Sequence, residues 1–295
     1  SRDVAPAPGG VPRDHGSIAA TLERLGVRPS RRLGQSFLAD PFVADAEAAL
    51  AAEGPAAPVV EIGGGLGVLT EALLRRGVGP LTVVERDPKL AAHLRASFAD
   101  RIEVVEGDAL EWTFPTRATV VGNLPFSAAT PILLARWAAR TPRLVVLVQR
   151  EVAERIAAAP GSRVYGRLSI AAALYGTTEL FQVVPSRSFE PVPEVEGRVL
   201  VHTARSGPLP VPSVAEFEAI LRHLFSSRRK QLANLLPRIA GGPEAAARWA
   251  TLADWPEDWR RLRPEVLPPE AYFRLATVAR RRGARSPRAS SASSG

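Results

Sequence analysis

The chain has 295 residues, 46% of them hydrophobic, and 38 Lys and Arg against 30 Asp and Glu, for a formal charge of +8. It has no cysteine and four scattered histidines, which excludes disulfides and thiolate metal centres and leaves a zinc site almost without ligands. Five of the positive charges, Arg280, Arg281, Arg282, Arg285 and Arg288, fall in the last sixteen residues, so the body is mildly basic and suits a local phosphate-binding face better than a coat of charge.

The length predicts one large domain with a small one. Residues 1–16 are rich in Pro and Gly with no apolar run and read as a disordered tail. They have no signal-peptide pattern, and no stretch of the chain is long and apolar enough to span a membrane. Ser17 to Leu25 suggests a short helix, followed by Arg28, Arg31 and Arg32, which form either a solvated face or an RNA backbone contact. Then comes Gly34-Gln35-Ser36-Phe37-Leu38.

Pro58 to Ile62 is a short apolar strand that runs through Glu61 into Gly63-Gly64-Gly65-Leu66-Gly67. Leu66 to Arg76 reads as a helix with Leu66, Leu69, Leu73 and Leu74 on one face. Strand, glycine turn and helix begin a nucleotide-binding crossover, in which glycines let the backbone approach a ligand closely. The third glycine of the dinucleotide fingerprint would fall at Val68, so the spacing favours a mononucleoside ligand. A second strand, Leu81 to Val84, ends in Glu85, about twenty residues past the glycines, where an acid can accept hydrogen bonds from a ribose diol. A third, Ile102 to Val105, leads to Gly107-Asp108, a carboxylate at the ligand-binding edge of an open sheet. Either acid could instead cap the next helix.

The fourth strand, Ala118 to Gly122, runs straight into Asn123-Leu124-Pro125-Phe126. An aromatic amine is a poor nucleophile because its lone pair is delocalised. The Asn123 side-chain oxygen and the Leu124 carbonyl could accept its N–H groups and draw the nitrogen toward tetrahedral geometry. Pro125 would fix the turn and Phe126 would stack on the base. The chemistry needs placement and electrostatics, with no general base, because the methylated amine as a cation loses its proton to water. An ordinary Asn-Pro turn is the other reading of the four residues.

Helix Ala129 to Ala139 carries Trp137 on its core face, and the unbroken run Leu144 to Val148 is a buried strand. A helix follows to Ala159. The loop Ser162 to Arg167 sets Arg163 and Arg167 around Tyr165, a mix that suits single-stranded RNA or a plain surface loop. Leu180 to Val184 and Arg198 to Thr203 form a closing antiparallel hairpin, joined through Phe189-Glu190-Pro191-Val192-Pro193. Ser206 to Pro212 is a linker. Ser213 then starts a helix with Glu216 at the capping-box position. Trp249, Trp255, Trp259 and Tyr272 pack a small helical domain.

In order along the chain, Gly34 to Leu38, the glycine run, Glu85, Asp108 and Asn123 to Phe126 resemble the ribosomal RNA adenine dimethyltransferase family. That family includes small-subunit dimethyladenosine transferases, macrolide-resistance methyltransferases of the large subunit and mitochondrial transcription factors B. The likeness continues through Val148 to Arg155, Phe189 to Val195 and Phe225 to Lys230, and covers roughly residues 30 to 275. It implies an α/β fold of class I S-adenosylmethionine-dependent methyltransferases, with a Rossmann-like seven-stranded sheet and a small C-terminal all-α domain. The expected divisions are a disordered tail over 1–16, a catalytic domain over 17–206, a helical RNA-binding domain over 207–282 and a disordered basic tail over 283–295.

The resemblance implies S-adenosyl-L-methionine as cofactor, held by Gln35, Ser36, Leu38, Glu61, Gly63, Gly65, Gly67, Glu85, Asp108, Ala109 and Asn123. It makes Asn123, Leu124, Pro125 and Phe126 the catalytic segment. Phe126 and Phe189 would hold the adenine, and Arg228, Arg229 and Lys230 would contact RNA; no metal is expected. Ser36 stands where the family commonly has Asn, Gly64 replaces a frequent Pro, and Phe126 replaces the Tyr usual in small-subunit enzymes. Glu194 and Gly197 depart from the usual basic and serine residues. The implied function is N6,N6-dimethylation of adenines in small-subunit ribosomal RNA during ribosome biogenesis, by a monomer that works on a subunit precursor away from membranes. The expected compartment is the cytoplasm, or an organelle if a presequence has been removed. Alternatives are a large-subunit resistance methyltransferase, a noncatalytic assembly or transcription factor on the same fold, and a DNA adenine methyltransferase.

Overall fold

The structure, a computed structural model, describes residues 10–30, 35–54, 57–227 and 230–283. The chain divides into two compact units, residues 1–154 with 175–205 and residues 155–174 with 206–295.

The first unit opens with α1 (His15–Leu25). Asp14 accepts the Ser17 N–H at 2.8 Å while the Ser17 hydroxyl accepts that of Asp14, a reciprocal cap, and Gly26 ends the helix in the left-handed region. Val11 packs against the core and Arg13 pairs with Glu71 at 3.0 Å. Residues 10–16 are thus part of the folded unit and not the tail the composition suggests; the short-range cap Asp14–Ser17 and two long-range contacts hold them.

Next come β1 (Phe37–Leu38), α2 (Pro41–Ala52), β2 (Val59–Ile62), α3 (Val68–Arg75), β3 (Leu81–Glu85), α4 (Pro88–Phe98), β4 (Glu103–Glu106), β5 (Thr119–Asn123), α5 (Ala129–Ala138), β6 (Arg143–Gln149) and α6 (Arg150–Ile156). Asp40 and Asp87 cap α2 and α4, each followed by a proline whose fixed φ suits a first helical turn. Then follow β7 (Gly176–Val184), β8 (Phe189–Glu190) and β9 (Gly197–Ala204), preceded in the chain by α7 (Arg167–Tyr175), which the sequence reading lacked and which through Leu174 belongs to the second unit.

The sheet has seven strands in the order β4-β3-β2-β5-β6-β9-β7. The first five are parallel, and β9 runs antiparallel to both β6 and β7. β2 and the centre of β6 are buried residue after residue, because helices cover both faces of a parallel sheet. From β2 the chain winds to one side through β3 and β4, then crosses to the other through β5 and β6. The point where the order reverses therefore lies between β2 and β5. Their approach is tight: a Cβ on Gly122 would lie 2.6 Å from the Ile62 carbonyl oxygen, so glycine is required there. A separate antiparallel pair, β1 with β8, sets Leu38 opposite Phe189.

The second unit contains α8 (Val214–Leu224), α9 (Leu232–Ala240), α10 (Pro243–Leu252) and α11 (Pro269–Gly283). Ser213 caps α8, accepting the Glu216 N–H at 3.3 Å. Trp249, Trp255, Trp259 and Tyr272 are buried; Trp255 packs edge-on against Trp259 and Tyr272, and its ring N–H donates to the Ala271 carbonyl at 3.0 Å. Residues 155–174 belong with these helices, an excursion of the chain that the expected division at 206/207 does not contain. The Gly161 N–H donates to the Glu265 carbonyl at 2.7 Å, and the buried Tyr165 hydroxyl donates to that of Leu267 at 3.0 Å. Tyr165 is therefore a core residue and cannot stack on RNA. The basic tail over 284–295 lies outside the described residues.

Candidate active site

The reversal between β2 and β5 puts the glycine loop and the Asn123 segment side by side at the carboxyl ends of their strands. A cavity opens there. Its wall comes from segments distant in sequence: Gln35 to Leu38, Glu61 with Gly63 to Leu66, Glu85, and Asn123 to Phe126, with Leu147 and Phe189 behind. A second cavity of about 500 Å³ is bounded by Ser127, Gln149 and Pro191 to Val195, and shares Gln35, Ser36 and Phe126 with the first. That is room for a small planar ligand.

The loop is shaped for close approach. Gly63 and Gly65 have φ of 73° and 56°, and a Cβ on Gly63 would meet nothing within 4 Å, which leaves open space beside the backbone. Gly64 is different: a Cβ there would lie 2.4 Å from Val83 Cγ1 and 2.9 Å from Leu94 Cδ1. The glycine that stands where proline was expected thus seals the loop onto β3 and α4.

Three carboxylates lie beneath it. Glu85 Oε2 accepts the Gly65 N–H at 3.0 Å and Oε1 accepts that of Asp87 at 2.9 Å. A carboxylate has about four acceptor positions, so both oxygens keep capacity for a ribose diol. Glu61 accepts the Thr70 hydroxyl at 2.7 Å. Glu47, on α2, is fully buried. Burial pushes all three carboxyls up: Glu61 to about 7, with the Thr70 bond opposing and Glu85 adding to the rise; Glu47 well above its ordinary value, with Glu61 beside it; and Glu85 less, because backbone N–H groups offset the loss of water.

Asn123 ends β5. Hydrogen bonding assigns its amide: with the nitrogen toward Glu47, it donates to Oε1 at 2.9 Å and to Oε2 at 3.0 Å. The Leu124 N–H donates to the Leu147 carbonyl at 3.0 Å and the Ala128 N–H to that of Pro125 at 2.9 Å, which pins the turn between β5 and α5.

Of the expected site residues, Gln35, Ser36, Leu38, Glu61, Gly63, Gly65, Glu85, Asn123, Leu124, Pro125, Phe126 and Phe189 line the first cavity. Phe189 is only 3% exposed and packs in the core. Gly67, Asp108 and Ala109 are not on that wall. Gly67 caps α3 in the left-handed region, where a Cβ would lie 2.6 Å from the Phe98 ring. Asp108 uses Oδ1 to accept the Leu110 N–H at 2.9 Å within a turn and holds Oδ2 3.8 Å from Arg86; no helix follows it to be capped. Arg228 and Arg229, with Arg31, Arg32 and Gly34, lie outside the described residues; Lys230 is exposed in the second unit.

Glu47 escaped the sequence reading. The signal was there: it occupies the apolar stripe of α2 that Val43, Ala44, Ala48 and Ala51 define, a place where an acid needs a partner. Among the described residues no group of three or more His, Asp and Glu could hold a metal ion, and no helix is long and apolar enough to cross a membrane.

A parallel sheet closed by a reversed final hairpin, with a glycine loop at its reversal point, defines the Rossmann-like methyltransferase class, whose members use S-adenosylmethionine. The family model for ribosomal RNA adenine dimethylase matches residues 27–252, and the chain belongs to that family. It is 39% identical to a probable ribosomal RNA small subunit methyltransferase A from Natronomonas pharaonis, over 88% of this chain and 96% of the relative. It is 40% identical to ribosomal RNA small subunit methyltransferase A from Nocardia farcinica, over 89% and 94%. Among solved structures, a dimethyladenosine transferase from Plasmodium falciparum superposes with a TM-score of 0.69 at 23% identity, over 84% of this chain and 98% of the other. The 23S rRNA methyltransferase ErmE superposes with a TM-score of 0.65 at 25% identity, over 83% and 99%.

Proposed function

We propose that the protein transfers methyl groups from S-adenosylmethionine to the exocyclic N6 of adenine in small-subunit ribosomal RNA, twice per base. The observation that carries this reading is the placement of Asn123 to Phe126 on the cavity wall beside the glycine loop, with Phe126 shared by the second cavity. The small-subunit names of the relatives support the choice of RNA.

When bound, S-adenosylmethionine supplies an electrophilic methyl on a positively charged sulfur. Gly63 and Gly65 would let the backbone approach it, Glu85 would accept from its ribose, and Gln35, Ser36 and Leu38 would close the side of the site. The target adenine leaves its stack and lies against Phe126. Asn123 Oδ1 and the Leu124 carbonyl accept the two N6–H bonds, which localises the nitrogen lone pair and aims it. The cofactor would supply the methyl to that nitrogen and leave as the neutral thioether, and the proton of the resulting ammonium would pass to water. The monomethylated amine repeats the step with its remaining hydrogen. Lys230, Arg228 and Arg229 are proposed RNA contacts, and a monomer in the cytoplasm suffices for this chemistry.

The test is transfer of labelled methyl to purified small-subunit particles, with large-subunit RNA alongside and Asn123→Ala as control. Dimethyladenosine in the small-subunit product, lost in the variant, is expected. Label confined to large-subunit RNA would transfer the reading to the macrolide-resistance branch. No label on either RNA from a folded protein would point to a noncatalytic assembly factor.

A further inference from the structure

An asparagine amide is almost symmetric in shape, and its two edges do opposite chemistry. With Oδ1 toward an amine it accepts; turned over, it offers N–H to N–H and repels. A residue that must accept from the target nitrogen therefore needs something that selects one edge. Glu47 supplies that selection. It comes from α2, it is fully buried, and both of its oxygens lie within hydrogen-bond distance of the Asn123 amide nitrogen. The Glu47 oxygens accept that N–H edge at 2.9 and 3.0 Å, which turns Oδ1 away from them.

Resting on the reading of Asn123 given above, we propose that Glu47 is a positioning residue for methyl transfer, holding the Asn123 amide so that its oxygen is the edge presented to the adenine amine. The arrangement has a cost that a purely structural role does not explain. Glu47 lies beside a second buried acid, Glu61; loss of water raises both carboxyls, with Glu61 adding to the rise at Glu47 and Glu85 to that at Glu61. An apolar side chain of similar volume on the stripe of α2 would avoid that cost, as replacement of buried charges by well-packed apolar groups often does.

The experiment compares Glu47→Leu, Glu47→Met and Glu47→Gln with wild type and Asn123→Ala in the full chain. It measures kcat and KM for methyl transfer to small-subunit particles, the S-adenosylmethionine dissociation constant, and the melting temperature. Leu and Met remove the acceptor and should lower kcat roughly tenfold or more, the factor that one hydrogen bond to a charged group represents. KM, cofactor affinity and melting temperature should stay level, or the last should rise. Gln keeps a carbonyl acceptor but adds an N–H edge that can turn the Asn123 amide over, so its kcat should fall between those of wild type and Leu. If Asn123→Ala is inactive while Leu and Met keep wild-type kcat, the positioning role is overturned and the proposed reaction stands. If Asn123→Ala is itself fully active, the reading of the site fails first. A fall in melting temperature with unchanged kcat, or equal loss in Gln and Leu, would overturn the positioning role as well.

Discussion

The carboxylate of Glu85, at the end of β3, reaches the glycine loop and accepts the Gly65 N–H at 3.0 Å, so the acid that should bind cofactor also fixes the loop that should cradle it. Glu85→Ala should weaken S-adenosylmethionine binding at least tenfold, since it removes hydrogen bonds to a charged acceptor worth about 1.5–3 kcal/mol each. It should also lower stability, because the Gly65 and Asp87 N–H groups lose their partner. Calorimetric titration with cofactor checks the first effect, and binding as tight as wild type would remove Glu85 from the cofactor site.

Glu61 predicts a pH signature in the ligand-free protein. Burial raises its carboxyl from the ordinary 4.5 to about 7, so the folded state holds a proton that the unfolded state releases. Its contribution to stability is fully present below pH 4.5 and is lost as the pH rises through about 7. Glu61→Gln lacks this loss. Between acid and mildly alkaline pH its stability should gain on wild type by about 3 kcal/mol. Parallel denaturant titrations across that range test it; a stability difference flat with pH would contradict the buried, proton-holding state.

Gly64→Ala should destabilise the protein by about 1–3 kcal/mol, because the new methyl enters a space already filled by Val83 and Leu94. Val83→Ala would create room for it. The double variant should therefore be more stable than the sum of the single losses predicts, a coupling read from a double-mutant cycle of unfolding free energies. Strict additivity would mean that the loop relaxes without touching Val83.

Phe126 is the aromatic on the wall of both cavities. Stacking on a base needs the ring alone, so Phe126→Tyr should keep kcat within about threefold, whereas Phe126→Leu should lose at least tenfold. Cofactor affinity should change in neither. Steady-state kinetics on small-subunit particles decide this, and an active Leu variant would move the base elsewhere.

Tyr165→Phe distinguishes a packing residue from an RNA contact. It leaves the Leu267 carbonyl without the hydroxyl that now donates to it at 3.0 Å, at a cost of about 1–3 kcal/mol. RNA affinity of the folded variant should equal that of wild type in filter binding, and a selective loss of affinity would restore the surface role.

Much of this protein is determined by short-range signals in its sequence. The unbroken apolar run at Leu144 to Val148 becomes the buried centre of β6, the glycine run becomes the turn between β2 and α3, and Ser213 with Glu216 starts α8 as their spacing requires. These depend on periodicity and backbone conformation within a few residues, so the sequence carries them directly. Even the segment Asn123 to Phe126, which lines the first cavity, stood out as a candidate site, since its acceptors, turn and ring are consecutive.

Tertiary structure decided which partner each buried polar group found. Nothing near Glu47 in sequence points to Asn123; only the packing of α2 on the sheet brings them to 2.9 Å. The pairing of β1 with β8, the ion pair of Asp108 with Arg86 and the membership of Tyr165 in the second unit are of the same kind. A polar group that leaves water must be satisfied by whatever the fold brings near it, and that neighbour is set by packing over the whole chain rather than by adjacent residues.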